Sequence, residues 1–165
     1  MHSTQGRDGA INQQENTQMA STGTYLNFDG NAEEALNFYI KVFDTELMDI
    51  TRYGDFGDGG DEGDGPGIPE DAKNLLMNAQ ILILGGHLLQ VSDHVESFGM
   101  GTLTQGNNVS IVLMTDSQPE TNELYDKLME GGDKRTPPQD MGFGYYAEGS
   151  DKFGINWMFY NTLDG

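Results

Sequence analysis

Cysteine is absent from this sequence of 165 residues, and its absence excludes several kinds of functional site. Disulfides, zinc–thiolate centres, iron–sulfur clusters and a cysteine nucleophile all require a thiol. Long apolar runs are also lacking, because none approaches the roughly 18 residues that a membrane-spanning helix needs. The N-terminus does not contain the apolar core of a signal peptide either. We therefore expect a cytoplasmic protein that does not cross a membrane.

Basic residues are few, with 8 Lys and Arg residues against 27 Asp and Glu residues and a formal net charge of -19. Proteins that bind nucleic acid neutralise its phosphates with basic side chains, and anionic lipid surfaces attract basic segments in the same way. The charge balance therefore argues against nucleic acid and against a membrane surface as partners. A strongly negative surface mainly keeps a protein soluble.

Hydrophobic residues make up only 36% of the chain and glycine reaches 23 residues, so part of the chain is expected to lie outside a packed core. Residues 1–22 are rich in Gln, Asn, Thr and Ser and are predicted to form a disordered tail or to be a tag. Gly54–Asp71 combines glycine with carboxylates that repel one another. This segment is typical of a mobile acidic loop beside a binding cleft. A calcium loop is the alternative, although the carboxylate spacing does not match that of an EF-hand.

A strand followed by an amphipathic helix occurs twice in the sequence, with a shift of 86 residues. In the first copy Thr24–Phe28 alternates as a strand does, and Asn31 and Glu34 are spaced like the capping box of a helix. Ser117 and Glu120 repeat this spacing in the second copy. The same shift aligns the strands and the apolar stripes of the helices, so that Leu26, Phe38, Tyr39, Val42 and Phe43 fall on Val112, Leu124, Tyr125, Leu128 and Met129. Agreement between strand, cap and stripe indicates an internal repeat.

Each copy is followed by three further predicted strands, which gives both halves the order βαβββ. Module one spans residues 23–93, a glycine-containing linker spans 94–106, and module two spans 107–163. Neither half could bury its sheet alone, so the two modules are expected to form one α+β domain of residues 23–163.

Five segments carry a resemblance to a known family: YLNFDGNAEEALNFY at Tyr25–Tyr39, RYGD at Arg52–Asp55, NAQI at Asn78–Ile81, GGHLLQVSD at Gly85–Asp93 and DKFGINWM at Asp151–Met158. Together they resemble the vicinal oxygen chelate superfamily, which includes glyoxalase I, extradiol dioxygenases and bleomycin- and fosfomycin-resistance proteins. Within it the sequence is similar to the PhnB-like branch, whose members often carry the label 3-demethylubiquinone-9 3-methyltransferase. The resemblance implies a glyoxalase-like fold with a concave cleft, a small-molecule ligand and a homodimer. No glycine-rich strand–loop–helix motif is found for the nucleotide end of a methyl donor.

In metal-dependent members of this superfamily, His and Glu side chains of several strands face the cleft. The resemblance places Thr24 and Tyr25 at such a position on the first strand, Asn78 on a middle strand and Met158 on the last strand. Hydroxyl, amide and thioether groups are a poor ligand set for Zn, Ni or Fe(II). We therefore predict neither a metal nor a cofactor. The alternative is a divalent metal in a lyase or dioxygenase of the glyoxalase type, with the ligand positions displaced by a residue or so.

Strand parity predicts the side chains that line the cleft, because alternate residues of a strand face the same side. Asp93 and Asp140 could act as bases only with shifted pKa values, so no catalytic residue is predicted. Amides, hydroxyls and aromatic rings suit a small polar or aromatic ligand that is neutral or cationic; alternatively, some of the amides merely satisfy backbone groups at strand ends. The predicted ligand-binding residues are Tyr25, Asn27, Asn78, Gln80, Phe143, Tyr145, Asn156 and Met158.

Overall fold

Two βαβββ modules follow one another in the computed structural model, which describes residues 20–56 and 67–162. Module one consists of β1 (Gly23–Phe28), α1 (Ala32–Phe43), β2 (Leu47–Arg52), β3 (Leu76–Ile83) and β4 (His87–Asp93). Module two consists of β5 (Ile111–Met114), α2 (Gln118–Leu128), β6 (Asp133–Asp140), β7 (Tyr145–Ser150) and β8 (Asn156–Asn161). The predicted α+β class and the predicted element order are both confirmed. Residues 1–19 of the predicted tail and 57–66 of the predicted acidic loop lie outside the described residues.

Each module forms one mixed four-stranded sheet. Sheet 1 has the strand order β1-β4-β3-β2 and sheet 2 has the order β5-β8-β7-β6. The first strand of each module runs parallel to its last strand, and the remaining pairs are antiparallel. Within the described residues, neither helix is long and apolar enough to cross a membrane.

A single hydrophobic core joins the two modules. One face of each sheet contributes to it, and α1 and α2 contribute their apolar stripes. Tyr39 of α1 lies against Trp157 of β8, with the ring centroids 5.7 Å apart, so the helix of module one also contacts the sheet of module two. Neither module buries its apolar surface alone, which is why the fold needs both.

The internal repeat is present, but its strand register differs from the prediction. The helices follow the 86-residue shift, since the buried Tyr39 and Tyr125 occupy corresponding positions. The predicted match of Leu26 to Val112 is wrong by one residue, because Val112 is 48% exposed whereas its neighbour Leu113 is buried. Tyr25 is the true counterpart of Val112. The connection from strand to helix is one residue shorter in module two, a difference that helix periodicity cannot show.

The two helices are capped by different means. Asn31 makes no side-chain cap, contrary to the prediction. Instead, the buried carboxylate of Asp93 accepts from the backbone N–H of Ala32 at 2.9 Å and from that of Leu76 at 2.9 Å. The predicted Ser117 cap of α2 is present, because its Oγ accepts from the Glu120 N–H at 3.3 Å.

The predicted edge position of the proline-containing strand also agrees with the structure. β6 runs through Pro137 and Pro138 and lies at the outer edge of sheet 2. Proline cannot donate a ladder hydrogen bond, so an edge strand tolerates it better than a central strand does.

Candidate functional site

Each sheet has one face on the core and one face turned away from it, which we call the open face. Pairing across sheet 1 places Tyr25, Gln90, Gln80 and Asp49 in one row. Asn27 and Ser92 form a second pair on the same side. Strand alternation puts these side chains opposite the buried Leu89, Val91 and Ile81. The open face of sheet 1 is therefore polar and consists of Tyr25, Asn27, Asp49, Thr51, Asn78, Gln80, Gln90 and Ser92.

Hydrogen bonds fix several of these polar side chains in place. Ser92 Oγ donates to Asn27 Oδ1 at 2.9 Å, and Gln80 Nε2 donates to Asn78 Oδ1 at 3.1 Å. The Tyr25 hydroxyl donates to the backbone carbonyl of Met77 at 3.1 Å. The four predicted residues of module one, Tyr25, Asn27, Asn78 and Gln80, thus lie on one face, as strand parity predicts. Gln90, the central residue of that face, was not among the predicted site residues.

The open face of sheet 2 is more apolar and more aromatic. Val112 pairs with Met158 and Met114 pairs with Tyr160, and the same rows continue to Glu148 and Tyr146 on β7. Met158 lies on the open face as predicted, while Trp157 and Phe159 on either side of it are fully buried in the core. We define the open face of sheet 2 as Val112, Met114, Tyr146, Glu148, Met158 and Tyr160.

A carboxylate and three aromatic residues meet on this second face. The Tyr146 hydroxyl donates to Glu148 Oε2 at 2.8 Å. Burial and the neighbouring Glu148 raise the pKa of the Tyr146 phenol, against a lowering effect of Arg135, so the phenol is a neutral donor. The Phe143 ring lies 6.4 Å from the Tyr146 ring, edge to face. Tyr160 donates to the Phe143 carbonyl at 3.1 Å.

Glycine at position 144 permits this arrangement. A Cβ atom on Gly144 would lie 2.5 Å from the Tyr160 ring, a distance at which the ring or the backbone would have to move. The predicted ligand residue Phe143 therefore does lie beside the open face. Glu148 was not among the predicted site residues. It lies between Ala147 and Gly149, which are both buried, and this alternation could have indicated that Glu148 faces the opposite side of the sheet.

Two of the predicted site residues have other roles. The Tyr145 hydroxyl donates to Asn122 Oδ1 of α2 at 3.0 Å, so Tyr145 lies on the helix side of sheet 2 and its placement in the cleft is wrong. Asn156 is 8% exposed; its Oδ1 accepts from Arg135 at 3.1 Å and its Nδ2 donates to the Gly106 carbonyl at 3.2 Å. Its amide connects the linker to sheet 2, which agrees with the alternative that some amides satisfy backbone groups at strand ends.

Two grooves lie where the edge strand of sheet 1 approaches that of sheet 2. One, of about 430 Å³, is bordered by Thr24 and His87 and by the whole of β5. The other, of about 290 Å³, is bordered by Tyr25 and Asn27 on one side and by Gln105 and Asn156 on the other. Both grooves adjoin the open faces, so a ligand on those faces has room to extend toward the other module.

The residues at the centre of the site do not fit a transition-metal ion. Within residues 20–56 and 67–162, no group of three His, Asp or Glu side chains could hold a metal. The two histidines of the described residues are engaged elsewhere: His87 hydrogen-bonds Thr24 Oγ1 at 2.9 Å and His94 hydrogen-bonds the Gly101 carbonyl at 2.6 Å. The central residue pairs of the two open faces are Tyr25–Gln90 and Val112–Met158. None of these four side chains is a strong ligand for Zn, Ni or Fe(II).

The two aspartates considered as bases are parts of the backbone structure. Asp93 holds the start of α1 and of β3, as described above. Asp140 Oδ1 accepts from the Gly142 N–H at 2.7 Å and closes the turn before β7. Neither carboxylate is aimed at an open face.

A family model described as 3-demethylubiquinone-9 3-methyltransferase matches residues 20–160. The chain belongs to this family. Solved structures agree with the assignment. A Pseudomonas aeruginosa protein is 28% identical, with a TM-score of 0.68, and the match covers 86% of this chain and 98% of that one.

Two further solved structures that are similar to this chain support the same fold. The PhnB protein of Bacillus cereus, described as a 3-demethylubiquinone-9 3-methyltransferase, is 25% identical, with a TM-score of 0.65 and coverage of 87% of this chain and 100% of that one. A fosfomycin resistance protein of Listeria monocytogenes, solved with Mn(II), is 13% identical over 88% of this chain and 94% of that one, with a TM-score of 0.58. This last likeness shows the fold alone. No curated protein matches the chain.

Proposed function

We propose that this PhnB-like protein binds a small organic molecule on the open faces of its sheets without a metal ion. The observation that carries the proposal is the identity of the four central residues. Tyr25 and Gln90 offer hydrogen bonds, and Val112 and Met158 offer apolar contact. Those groups suit a ligand with a polar part and an apolar or aromatic part, as binding sites commonly combine the two.

The family description names a methyl transfer, and the structure offers little support for that reaction here. Helix N-termini are the usual anchoring points for the charged groups of a nucleotide-like cofactor. In α1 the first N–H is bound by the carboxylate of Asp93. In α2 the Ser117 hydroxyl accepts from the Glu120 N–H, and the Glu120 carboxylate accepts from the preceding Asp116 N–H at 2.7 Å. At each helix start, one N–H group is therefore already bound by a side-chain acceptor of the protein itself.

The alternative function is a metal-dependent lyase or dioxygenase. One observation favours it, since Glu148 places a carboxylate on the open face of sheet 2. A catalytic metal site usually requires about three protein ligands, and the side chains paired or hydrogen-bonded with Glu148 are Met158, Tyr146 and Thr136. These neighbours do not complete a metal site.

Thermal unfolding with a library of aromatic and cationic compounds tests the proposal. A ligand that binds the native state raises the midpoint by an amount that grows with the ratio of its concentration to its Kd. We expect some compounds to raise it equally in protein stripped with a chelator and in protein supplied with Ni, Zn or Mn. Tyr25→Ala should lose most of that shift, because Tyr25 is 47% exposed on the ligand face. Met100→Ala, at a residue 50% exposed in the linker, is the matched control.

Two results would contradict this function. Stoichiometric metal in untagged protein, together with ligand binding that requires it, would establish the metal-dependent alternative. The absence of stabilisation by any compound, with or without metal, would show that the open faces are not a small-molecule site.

A further inference from the structure

The carboxylate of Glu148 has no cationic partner among the described residues. The salt bridges that the structure shows involve other acidic residues. Its contacts are with hydroxyl groups: Tyr146 at 2.8 Å, and Thr136 Oγ1 at the longer distance of 3.5 Å. The half-buried carboxylate is thus held by hydroxyl donors rather than by an ion pair, and strand pairing places it on the open face.

Arg135 is the nearby cation, and its guanidinium is engaged by two other acceptors. Nη1 donates to Asn156 Oδ1 at 3.1 Å and Nη2 donates to the Gly149 carbonyl at 3.2 Å. These two bonds hold Arg135 beside the linker. It lowers the pKa of Tyr146 from there without forming an ion pair with Glu148.

Aromatic rings flank the same carboxylate. Tyr146 and Phe143 meet edge to face, and Tyr160 is bonded to the Phe143 carbonyl. Phe143 is 65% exposed, an unusual position for a large apolar ring that has no role in a core. Aromatic faces attract cations through their quadrupoles, more strongly when the cation is partly desolvated.

We propose that the cluster of Phe143, Tyr146, Glu148 and Tyr160, which we call the cation subsite, binds the positively charged end of an organic ligand, a protonated amine or a quaternary ammonium group. The inference rests on the proposed function and narrows its ligand class. Glu148 supplies the counter-charge and the rings supply cation–π contact. Val112, Met114 and Met158 on the adjoining strands provide an apolar surface for the rest of the ligand. The net charge of -19 adds long-range attraction for cations.

Matched pairs of probes test the charge requirement directly. Choline and its uncharged carbon isostere dimethylbutanol have the same shape, and so do benzylammonium and benzyl alcohol. We expect calorimetric titration of the full chain to show both charged probes binding at least about 10-fold more tightly than their neutral partners, as for one charge-assisted contact. Amide chemical shifts should change along β7 and β8.

Two substitutions locate the effect. Glu148→Gln keeps an acceptor for Tyr146 and should weaken the charged probes about 10-fold. Glu123→Gln, which removes the same charge on exposed α2 where Glu123 pairs with Lys127 at 2.6 Å, should change the affinity little. Phe143→Leu keeps apolar area without a π face and should weaken the charged probes about threefold. Because Phe143 is exposed, this variant tests the subsite even if Glu148→Gln folds poorly.

Two outcomes of these experiments would contradict the cation subsite. Neutral probes that bind as tightly as charged ones, or an equal loss in Glu148→Gln and Glu123→Gln, would show that Glu148 does not select charge. In that case the proposed function still stands, provided that compounds of another class stabilise the protein. Failure of every compound in the wider screen would remove the proposed function as well.

Discussion

Asp151 is the residue with the densest set of hydrogen bonds in the described protein. The residue is 3% exposed, and its carboxylate accepts from the Tyr39 hydroxyl at 2.7 Å and from Trp157 Nε1 at 2.8 Å. The N–H groups of Phe153 and Ile155 donate at 2.9 and 3.0 Å. Tyr39 belongs to module one and the other donors to module two, so this carboxylate joins the modules.

Replacing Asp151 by Asn should destabilise the protein by about 1–3 kcal/mol at neutral pH, because an amide Nδ2 would face donors that then lack an acceptor. Tyr39→Phe removes only one of four donors and should cost about 1 kcal/mol. Urea denaturation of both variants measures the difference. A loss in Tyr39→Phe larger than in Asp151→Asn would contradict the assignment of Asp151 as the centre of the network.

The titration of Asp151 should also make the folding stability of the protein depend on pH. Burial raises the pKa of its carboxyl, and the hydrogen bonds from Trp157 and Tyr39 offset only part of that rise. The folded state thus holds the proton more tightly than the unfolded chain does. The stabilising contribution is complete below the unfolded pKa, near 4, and is lost as the pH rises through the folded pKa.

The stability advantage of wild type over Asp151→Asn should therefore shrink as the pH rises above about 4. Thermal midpoints of the two proteins, measured side by side across the acidic range, give this difference. A stability advantage that grows with pH would mean that the hydrogen bonds, rather than burial, determine the direction of the pKa shift of Asp151.

The positions of single side chains could be predicted only where the strand is regular. Gln80 and Met158 lie in stretches that pair regularly with β4 and β7, and alternation predicted the face on which each of them lies. Phe143 and Tyr145 were assigned to one face of one strand, but β7 begins at Tyr145. Phe143 therefore precedes the strand and contacts Tyr146 instead. Sequence alternation does not show where a glycine-containing turn ends and a strand begins.

Among the structural elements, α1 and α2 differ in how they begin, and this predicts unequal effects of cap substitutions. Asp93→Ala should destabilise by about 2–4 kcal/mol, since it leaves two buried N–H groups without an acceptor. Ser117→Ala should cost about 1 kcal/mol, the usual value for a local N-cap. Asn31→Ala is the control and should change stability by less than about 0.5 kcal/mol, because Asn31 makes no side-chain cap.

Equilibrium denaturation ranks these three variants. If Asn31→Ala lowers the free energy of unfolding as much as Asp93→Ala does, Asn31 caps α1 as the sequence suggested. The sequence favoured Asn31 because capping rules are local, whereas Asp93 reaches α1 from β4, 61 residues further along the chain. The helices themselves were predictable, since their apolar stripes follow from helical periodicity. The one-residue offset of the strands arises in a loop and leaves no such periodic signal.

For the molecule as a whole, the open faces expose large apolar side chains. Val112 is 48% exposed and Met114 is 59% exposed, and Tyr25 on sheet 1 is 47% exposed. Contiguous exposed apolar residues commonly mark a surface that another molecule covers. Because the strongly negative net charge opposes non-specific association, we predict a specific partner for this surface. The homodimer expected from the family resemblance would supply it and would close the ligand site between two copies.

Met114→Lys tests this arrangement, because a charge buried at an interface without a partner is strongly unfavourable. We expect light scattering during gel filtration to give twice the chain mass for the wild type and one chain mass for Met114→Lys. Met100→Lys introduces the same charge at a residue 50% exposed in the linker and should stay dimeric. Since both changes make the net charge less negative by the same amount, general repulsion cannot account for a difference between them. A wild-type monomer, or a Met114→Lys dimer, would show that the open face of sheet 2 is not the contact between copies.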